Sequence, residues 1–105
     1  MPEITIRYFD DCPNWKIARA RVVEALETLR EGWPIVLERV ETVEAAERLG
    51  FRGSPTILID GQDPFTDDTA SVGLSCRVYG TEAGIEGSPS VEQLVKALAR
   101  TSTPT

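Results

Sequence analysis

The stretch Ile4-Thr5-Ile6-Arg7-Tyr8-Phe9-Asp10-Asp11-Cys12-Pro13-Asn14-Trp15 changes from an alternating pattern to a helical one within a few residues. Apolar and polar side chains alternate over residues 3–9, which predicts a β-strand. Apolar residues then recur at helical spacing over 13–31, and Pro13 suits the first helical position because its missing N–H would be unpaired there. Cys12 therefore falls where a strand gives way to the positive end of a helix, an environment that favours thiolate over thiol.

Strand-like and helix-like segments follow each other along the rest of the chain. The first helix is expected to end at Gly32. The further predicted elements are strands over 35–40, 57–60 and 74–79, and helices over 42–49 and 90–98. The order β-α-β-α-β-β-α predicts an α/β fold with a central, mixed, four-stranded sheet. We expect a single domain over residues 1–100 and a flexible tail over 101–105.

Composition excludes several functional classes. The chain has 105 residues, of which 41% are hydrophobic, and this suits one globular domain rather than a disordered chain. Its net charge of -6 argues against binding to nucleic acid or to an anionic membrane surface, because both are gripped by clustered Lys and Arg. No apolar run approaches the roughly 20 residues that span a bilayer. With a strand starting near residue 3, no signal peptide is expected, and a cytoplasmic, reducing compartment is the predicted setting.

The absence of histidine narrows the chemistry further. Without it, Ser-His-Asp and Cys-His mechanisms and most catalytic zinc sites are excluded. The two cysteines, Cys12 and Cys76, do not have C-x-x-C spacing, so we expect thiols rather than a metal site. The predicted cofactor set is empty, apart from glutathione or another small thiol as a co-substrate.

Two separated motifs carry a family resemblance. With Cys12-Pro13 opening the first helix and Gly53-Ser54-Pro55-Thr56 opening the third strand, the chain resembles the thioredoxin-like superfamily. Segments 9–15, 50–61 and 74–79 look like a small bacterial family of thioredoxin-like proteins that sometimes carry the label alkylmercury lyase. The resemblance covers about residues 3–100 and implies a thioredoxin-like fold.

The resemblance also implies a cis proline at Pro55, beside Cys12. The kink would leave the backbone groups of Ser54 unpaired, so that they could bind an extended peptide or a thiol-bearing ligand. The alternative is a trans proline that merely begins a strand. The residues assigned to this substrate-binding rim are Pro13, Ser54, Pro55, Thr56 and Tyr79, although Tyr79 also suits ordinary cross-strand packing.

The chain departs from the family's redox enzymes at Trp15. Those enzymes carry a second cysteine three positions after the first, whereas Trp15 occupies that position and fits the buried stripe of the helix. A single-cysteine mechanism remains open, in which the Cys12 thiolate attacks a disulfide and an external thiol releases the product.

Cys76 is the other candidate to resolve a mixed disulfide. In a thioredoxin-like sheet the third strand separates the first from the fourth, and two spacings of about 4.8 Å exceed the roughly 7 Å that a disulfide allows between Cα atoms. Loop geometry at Cys12 could shorten this gap. We therefore expect a buried, inert Cys76, with a Cys12–Cys76 bond as the alternative.

Charged residues near these motifs have two interpretations each. Asp10 and Asp11 could exchange a proton with the Cys12 thiol, or could simply stabilise the helix N-terminus. Arg52 and Arg77 could receive a carboxylate such as that of glutathione, or could form surface ion pairs.

Three functions are consistent with these residues. The leading one is a thiol–disulfide redox protein that acts through Cys12 on a small thiol or a protein disulfide. The second is a redox-inactive binding module of the same fold, supported by Trp15. The third, implied only by the family label, is organomercurial cleavage by Cys12, Cys76 and either Asp10 or Asp11. The sequence predicts no oligomeric state.

Overall fold

The computed structural model describes residues 3–65, 73–74 and 76–102. Its elements follow the order β-α-β-α-β-β-β-α. They are β1 (Ile4–Tyr8), α1 (Asn14–Leu29), β2 (Ile35–Arg39), α2 (Val43–Leu49), β3 (Thr56–Ile59), β4 (Tyr79–Thr81), β5 (Gly84–Glu86) and α3 (Val91–Ser102). The fold is a small α/β unit with a mixed sheet and three helices, as the sequence predicts. Helix α3 ends at Ser102, so it extends two residues past the expected domain boundary.

The mixed sheet has three strands in the order β2-β1-β3. β1 runs parallel to β2 and antiparallel to β3, so that Ile6 lies between Leu37 and Ile57. The parallel β1–β2 pair confirms the expectation from the intervening helix.

The prediction of a fourth strand over 74–79 in this sheet is wrong. In the described part of that segment, Cys76 forms one isolated parallel bridge with Ser54. Pro55 follows Ser54 and has no N–H with which to extend the pairing. Tyr79 instead begins β4, which pairs antiparallel with β5 in a separate hairpin, within a region for which no strand beyond residue 79 was predicted. The sequence also predicts an acidic, turn-rich loop over 62–73, of which residues 66–72 lie outside the described residues.

Helices α1 and α3 share the main core with β1 and β3. Ile4 and Ile6 of β1 point into the main core, while Ala18 and Val22 of α1 and Leu94 of α3 close over them, and all five side chains are fully buried. A second, smaller cluster of Val40, Ala46 and Phe51 holds α2 against the end of the sheet. Both clusters draw on apolar positions that the periodicity of the sequence identifies.

Helix α1 ends earlier than predicted. Arg30, rather than Gly32, takes the left-handed conformation (φ 58°), and its N–H donates to the carbonyl of Glu27. The earlier helix end leaves three residues before Trp33, whose indole is buried in the main core. At the other end Pro13 is the N-cap and Asn14 the first helical residue, one position later than expected.

The caps of the other helices match the sequence signals. The Thr42 hydroxyl accepts from the N–H of Ala45, and Gly50 takes the left-handed conformation that ends α2. Before α3, Ser90 and Gln93 exchange hydrogen bonds of 2.9 and 3.1 Å, which confirms the predicted capping box.

Replacing Thr42 by alanine is expected to lower the free energy of unfolding by about 1 kcal/mol, because the N–H of Ala45 loses its acceptor. Urea unfolding followed by circular dichroism measures this. Thr42→Ser keeps the hydroxyl and is the matched control. An equal loss in both variants would show that the cap hydrogen bond contributes nothing.

Among the helices of the described residues, none combines the length and the apolar character needed to cross a bilayer.

Candidate functional site

Cys12 lies in the tight connection between β1 and α1. Its backbone N–H donates to the carbonyl of Phe9 at 3.2 Å, which turns the chain towards the N-cap at Pro13. The side chain is fully buried, and its thiol donates to the carbonyl oxygen of Ser54 over 3.5 Å. Cys12 thus sits at the helix start as predicted, but a reagent in solution does not reach its sulfur directly.

Ser54 and Pro55 form the segment that faces Cys12. The peptide bond between them is cis, which confirms the expectation for Pro55. The Ser54 carbonyl accepts two hydrogen bonds, one from the Cys12 thiol and one from the backbone N–H of Arg77 at 2.8 Å. Ser54 is fully buried, and its hydroxyl has no partner among the described residues. The carbonyl of this residue is therefore the point where the segments around Cys12 and Cys76 meet.

Cys76 contacts Cys12, contrary to the separation argued from strand spacing. Because Cys76 pairs with Ser54 rather than with a strand further out, its side chain lies close enough to Cys12 for the two thiols to influence each other's ionisation. The expectation of a buried Cys76 is also wrong, because this thiol is exposed. Of the two cysteines, the exposed one is thus the downstream residue, and the buried one is the residue at the helix start.

The contact between the two thiols changes the acidity of Cys76. The hydrogen bond to Cys12 raises the pKa of the Cys76 thiol from its ordinary 9.0 to about 11, and partial burial and charge repulsion from Cys12 act in the same direction. A thiol with this raised pKa is largely protonated at neutral pH.

Arg77 is a buried structural residue of the site, contrary to the surface ion pair that was one of its two expected roles. Its side chain is only 3% exposed, and Nη1 lies 2.6 Å from the Asp63 carboxylate, whereas Nη2 donates to the Phe65 carbonyl. The guanidinium also lies 4.7 Å from the ring centre of Tyr79. It is a buried anchor rather than a surface ion pair. The alternation over 74–79 places Arg77 opposite Cys76 but does not by itself show that Arg77 is the one that faces inward.

Tyr79 and Thr56 are engaged within the same segment. The Tyr79 hydroxyl donates to the Pro55 carbonyl at 2.5 Å, and burial raises the pKa of this phenol. The Thr56 hydroxyl donates to the Gly53 carbonyl at 2.6 Å. Both side chains are buried, so they fix the shape of the Ser54–Pro55 turn from within.

Asp10 and Asp11 are exposed on the other side of Cys12. Asp10 pairs with Arg39 at 2.5 Å, and both aspartates line a cleft of about 360 Å³ beside Phe9. Neither caps α1, whose N-cap Pro13 is exposed and forms no side-chain hydrogen bond.

Trp15 departs from the expected buried stripe. It is half-buried at the start of α1 and stacks on Tyr8 of β1, with ring centres 4.3 Å apart. The fully buried positions of the helix begin at Ala18. Trp15 therefore covers the outer side of the β1–α1 junction rather than filling the main core.

In the part of the chain that the structure describes, no group of three or more His, Cys, Asp or Glu side chains is arranged to hold a metal ion. The chemistry that the arrangement can support is that of two neighbouring thiols, a buried one that donates to the Ser54 carbonyl and an exposed one on the residue that bridges to Ser54.

Comparison of the chain with protein-family models, curated proteins and solved structures gives no match.

Proposed function

We propose that this protein is a thiol–disulfide redox protein in which Cys12 and Cys76 form the reacting pair. The observation that carries the proposal is that both cysteines meet at Ser54: its carbonyl accepts from the Cys12 thiol and from the N–H of Arg77, and its backbone forms a bridge with Cys76. Neighbouring thiols can be exchanged for one disulfide. The pair replaces the single-cysteine scheme expected from the sequence. Its substrate would be a small disulfide, such as that of glutathione, or a protein disulfide, in a reducing, cytoplasmic setting.

A thioredoxin-like topology is part of this proposal. It is supported by β1 lying between a parallel β2 and an antiparallel β3, and by the cis Ser54–Pro55 bond next to Cys12. The separate β4–β5 hairpin departs from the four-stranded sheet that such a topology would predict.

Exposure assigns the roles of the two cysteines. The exposed Cys76 gives up its proton to solvent and then attacks the substrate disulfide as a thiolate, a step that the raised pKa slows at neutral pH. The substrate S–S bond breaks, one substrate thiolate leaves and takes up a proton, and a mixed disulfide forms on Cys76. Cys12 then loses its proton and attacks the Cys76 sulfur, which releases the second substrate thiol. The protein is oxidised by two electrons, the substrate is reduced to two thiols, and an external thiol later restores the pair.

Intact-mass spectrometry of the protein treated with glutathione disulfide tests this scheme. The wild-type protein is expected to end two hydrogen atoms lighter than the reduced form, with a Cys12–Cys76 bond in its peptide map. Cys12→Ser should stop at the glutathione adduct on Cys76. Cys76→Ser should stay largely unmodified, because Cys12 is buried.

Unfolded protein is the control. In the unfolded state, each cysteine that a variant retains should react. A wild-type protein that stays reduced while the unfolded chain reacts would contradict the proposal and favour the redox-inactive binding module. A Cys76→Ser variant that reacts as fast as the wild type would reverse the assigned roles.

Organomercurial cleavage is a second candidate, and the same contact favours it. Two neighbouring thiolates could hold the mercury of an alkylmercury ion, and Asp11, which directly precedes Cys12, could supply the proton. The carbon–mercury bond would break, the carbon would take the proton to give the alkane, and Hg²⁺ would remain between the sulfur atoms until excess thiol removed it. Alkane release from an alkylmercury substrate in excess thiol tests this, and no turnover would exclude it.

A further inference from the structure

An open groove of about 500 Å³ lies between helix α3 and the segment that precedes the undescribed residues 66–72. Its surface is mostly apolar, and the residues that line it are Pro64, Phe65, Gln93, Lys96, Ala99 and Arg100. This volume is in the usual range for a small-molecule pocket. Neither cysteine is among the lining residues, so the groove is separate from the proposed reacting pair.

Contacts within the protein hold both walls of this groove in place. On one side, the Phe65 ring packs edge-on against Tyr79, with the ring centres 5.8 Å apart. On the other side, the Gln93 amide donates to the Gly80 carbonyl at 2.7 Å and accepts from the Ser90 N–H at 2.9 Å. The apolar part of the groove is therefore preformed, and binding requires no rearrangement of these walls.

The charged groups at the rim of the groove are both positive. Lys96 and Arg100 lie one turn apart on α3, and no acidic residue is among the lining residues. Lys96 pairs with Glu92 over 3.4 Å. Arg100 is exposed, and it forms no ion pair with any residue in the described part of the chain. Its guanidinium is therefore the group that is open to an anionic ligand.

An apolar surface beside a guanidinium defines the chemistry of the ligand. The chain has a net charge of -6, so its overall field repels anions, and an anion that binds here is held by local contacts. The Gln93 amide is already engaged at both ends, which leaves the middle of the groove without a neutral polar contact from this side chain. A molecule with an apolar body and one carboxylate end matches this arrangement.

We propose that this groove binds a small amphiphilic carboxylate of the medium-chain fatty acid class. The aliphatic tail lies against Pro64, Phe65 and Ala99, and removal of its surface from water stabilises the complex. The carboxylate lies at Arg100, whose planar guanidinium offers it paired N–H donors. The site goes beyond the proposed redox function and does not depend on it.

The test is a titration of the whole chain with octanoate at constant ionic strength, followed by ¹H–¹⁵N NMR. Acetate carries the same charged group without the tail, and 1-octanol carries the same tail without the charge. Octanoate is expected to cause saturable shifts of the backbone amides of Phe65, Gln93 and Ala99. Acetate should give no saturable shift. The affinity for 1-octanol should be about fivefold lower than for octanoate, because the alcohol forms no ion pair with Arg100.

Arg100→Gln is expected to weaken octanoate binding about fivefold, to the level of 1-octanol, because it removes the charged donor. Arg100→Lys keeps the positive charge and should keep most of the affinity. Arg48→Gln removes the same charge from the exposed last turn of α2, outside the groove, and should leave the affinity unchanged. The backbone amide spectrum shows whether each variant is folded.

Three results would overturn the proposal. The first is the absence of a saturable shift with octanoate in the wild-type protein. The second is binding of acetate or 1-octanol as tight as that of octanoate, because one half of the ligand would then be irrelevant. The third is an equal affinity of the Arg100→Gln and Arg48→Gln variants, because any loss would then reflect general charge attraction. None of these results bears on the cysteines, since octanoate contains no sulfur.

Discussion

Replacing Arg77 by methionine is expected to lower the free energy of unfolding by about 3 kcal/mol, the lower end of the range for breaking a buried ion pair. The change removes one partner of Asp63 and a donor to the Phe65 carbonyl, and both acceptors lie near the protein interior. The lower end applies because Asp63 keeps a 22% exposed side chain, which water can partly solvate. Unfolding in guanidinium chloride, followed by tryptophan fluorescence, measures the loss in free energy of unfolding.

Arg39→Met is the matched control. Arg39 also contacts two acidic residues, Asp10 and Glu41, but its side chain is 53% exposed. Exposed ion pairs contribute little, so its loss should stay below about 1 kcal/mol. If both arginine variants lose the same amount, Arg77 is not the buried anchor that its contacts indicate.

Replacing Cys12 by serine is expected to speed the alkylation of Cys76 about tenfold near pH 8. The hydrogen bond to Cys12 is the largest cause that raises the pKa of Cys76 to about 11, and without it the pKa should fall towards 9.0. The fraction of Cys76 present as thiolate would rise by up to about a hundredfold. A more acidic thiol is a weaker nucleophile, which lowers the rate roughly tenfold, so a net gain of about tenfold remains.

The measurement is iodoacetamide labelling of Cys76 against pH, resolved by peptide mass spectrometry. In the wild-type protein the rate should keep rising with pH until about pH 11, because the Cys76 proton is retained below that pH. In Cys12→Ser the plateau should begin at lower pH. Rates measured in denaturant should be equal for the two proteins. A wild-type profile that levels off near pH 9 would show that Cys12 does not raise the pKa of Cys76.

Local chemistry made parts of this fold predictable from the sequence. Thr42, Gly50 and the Ser90–Gln93 pair signal their helix ends through hydrogen bonds within a few residues, and the structure has the expected caps. The sequence signals that place Cys12 at the β1–α1 junction are equally local. Such features depend on neighbours in the chain and hardly on the rest of the molecule.

Long-range pairing was the part that the sequence did not determine. Alternation over 74–79 shows that Cys76 and Arg77 face opposite ways, but not which of them faces inward. That choice depends on the bridge to Ser54, whose carbonyl takes the Arg77 N–H. Because the two faces of this segment were assigned the wrong way round, Cys76 was predicted to be buried and Arg77 to be exposed. It also concealed the contact between the two cysteines.

The contact between Cys12 and Cys76 joins residues that are far apart along the chain. A covalent bond between them would close a loop of 65 residues, counted from one cysteine to the other. On the chain-entropy model, such a closure stabilises the folded state by about 4 kcal/mol. Oxidation would then lengthen the lifetime of the molecule against proteases that cleave the unfolded chain, and reduction would shorten it. The abundance of the protein in a cell would in that case follow the supply of reducing thiols.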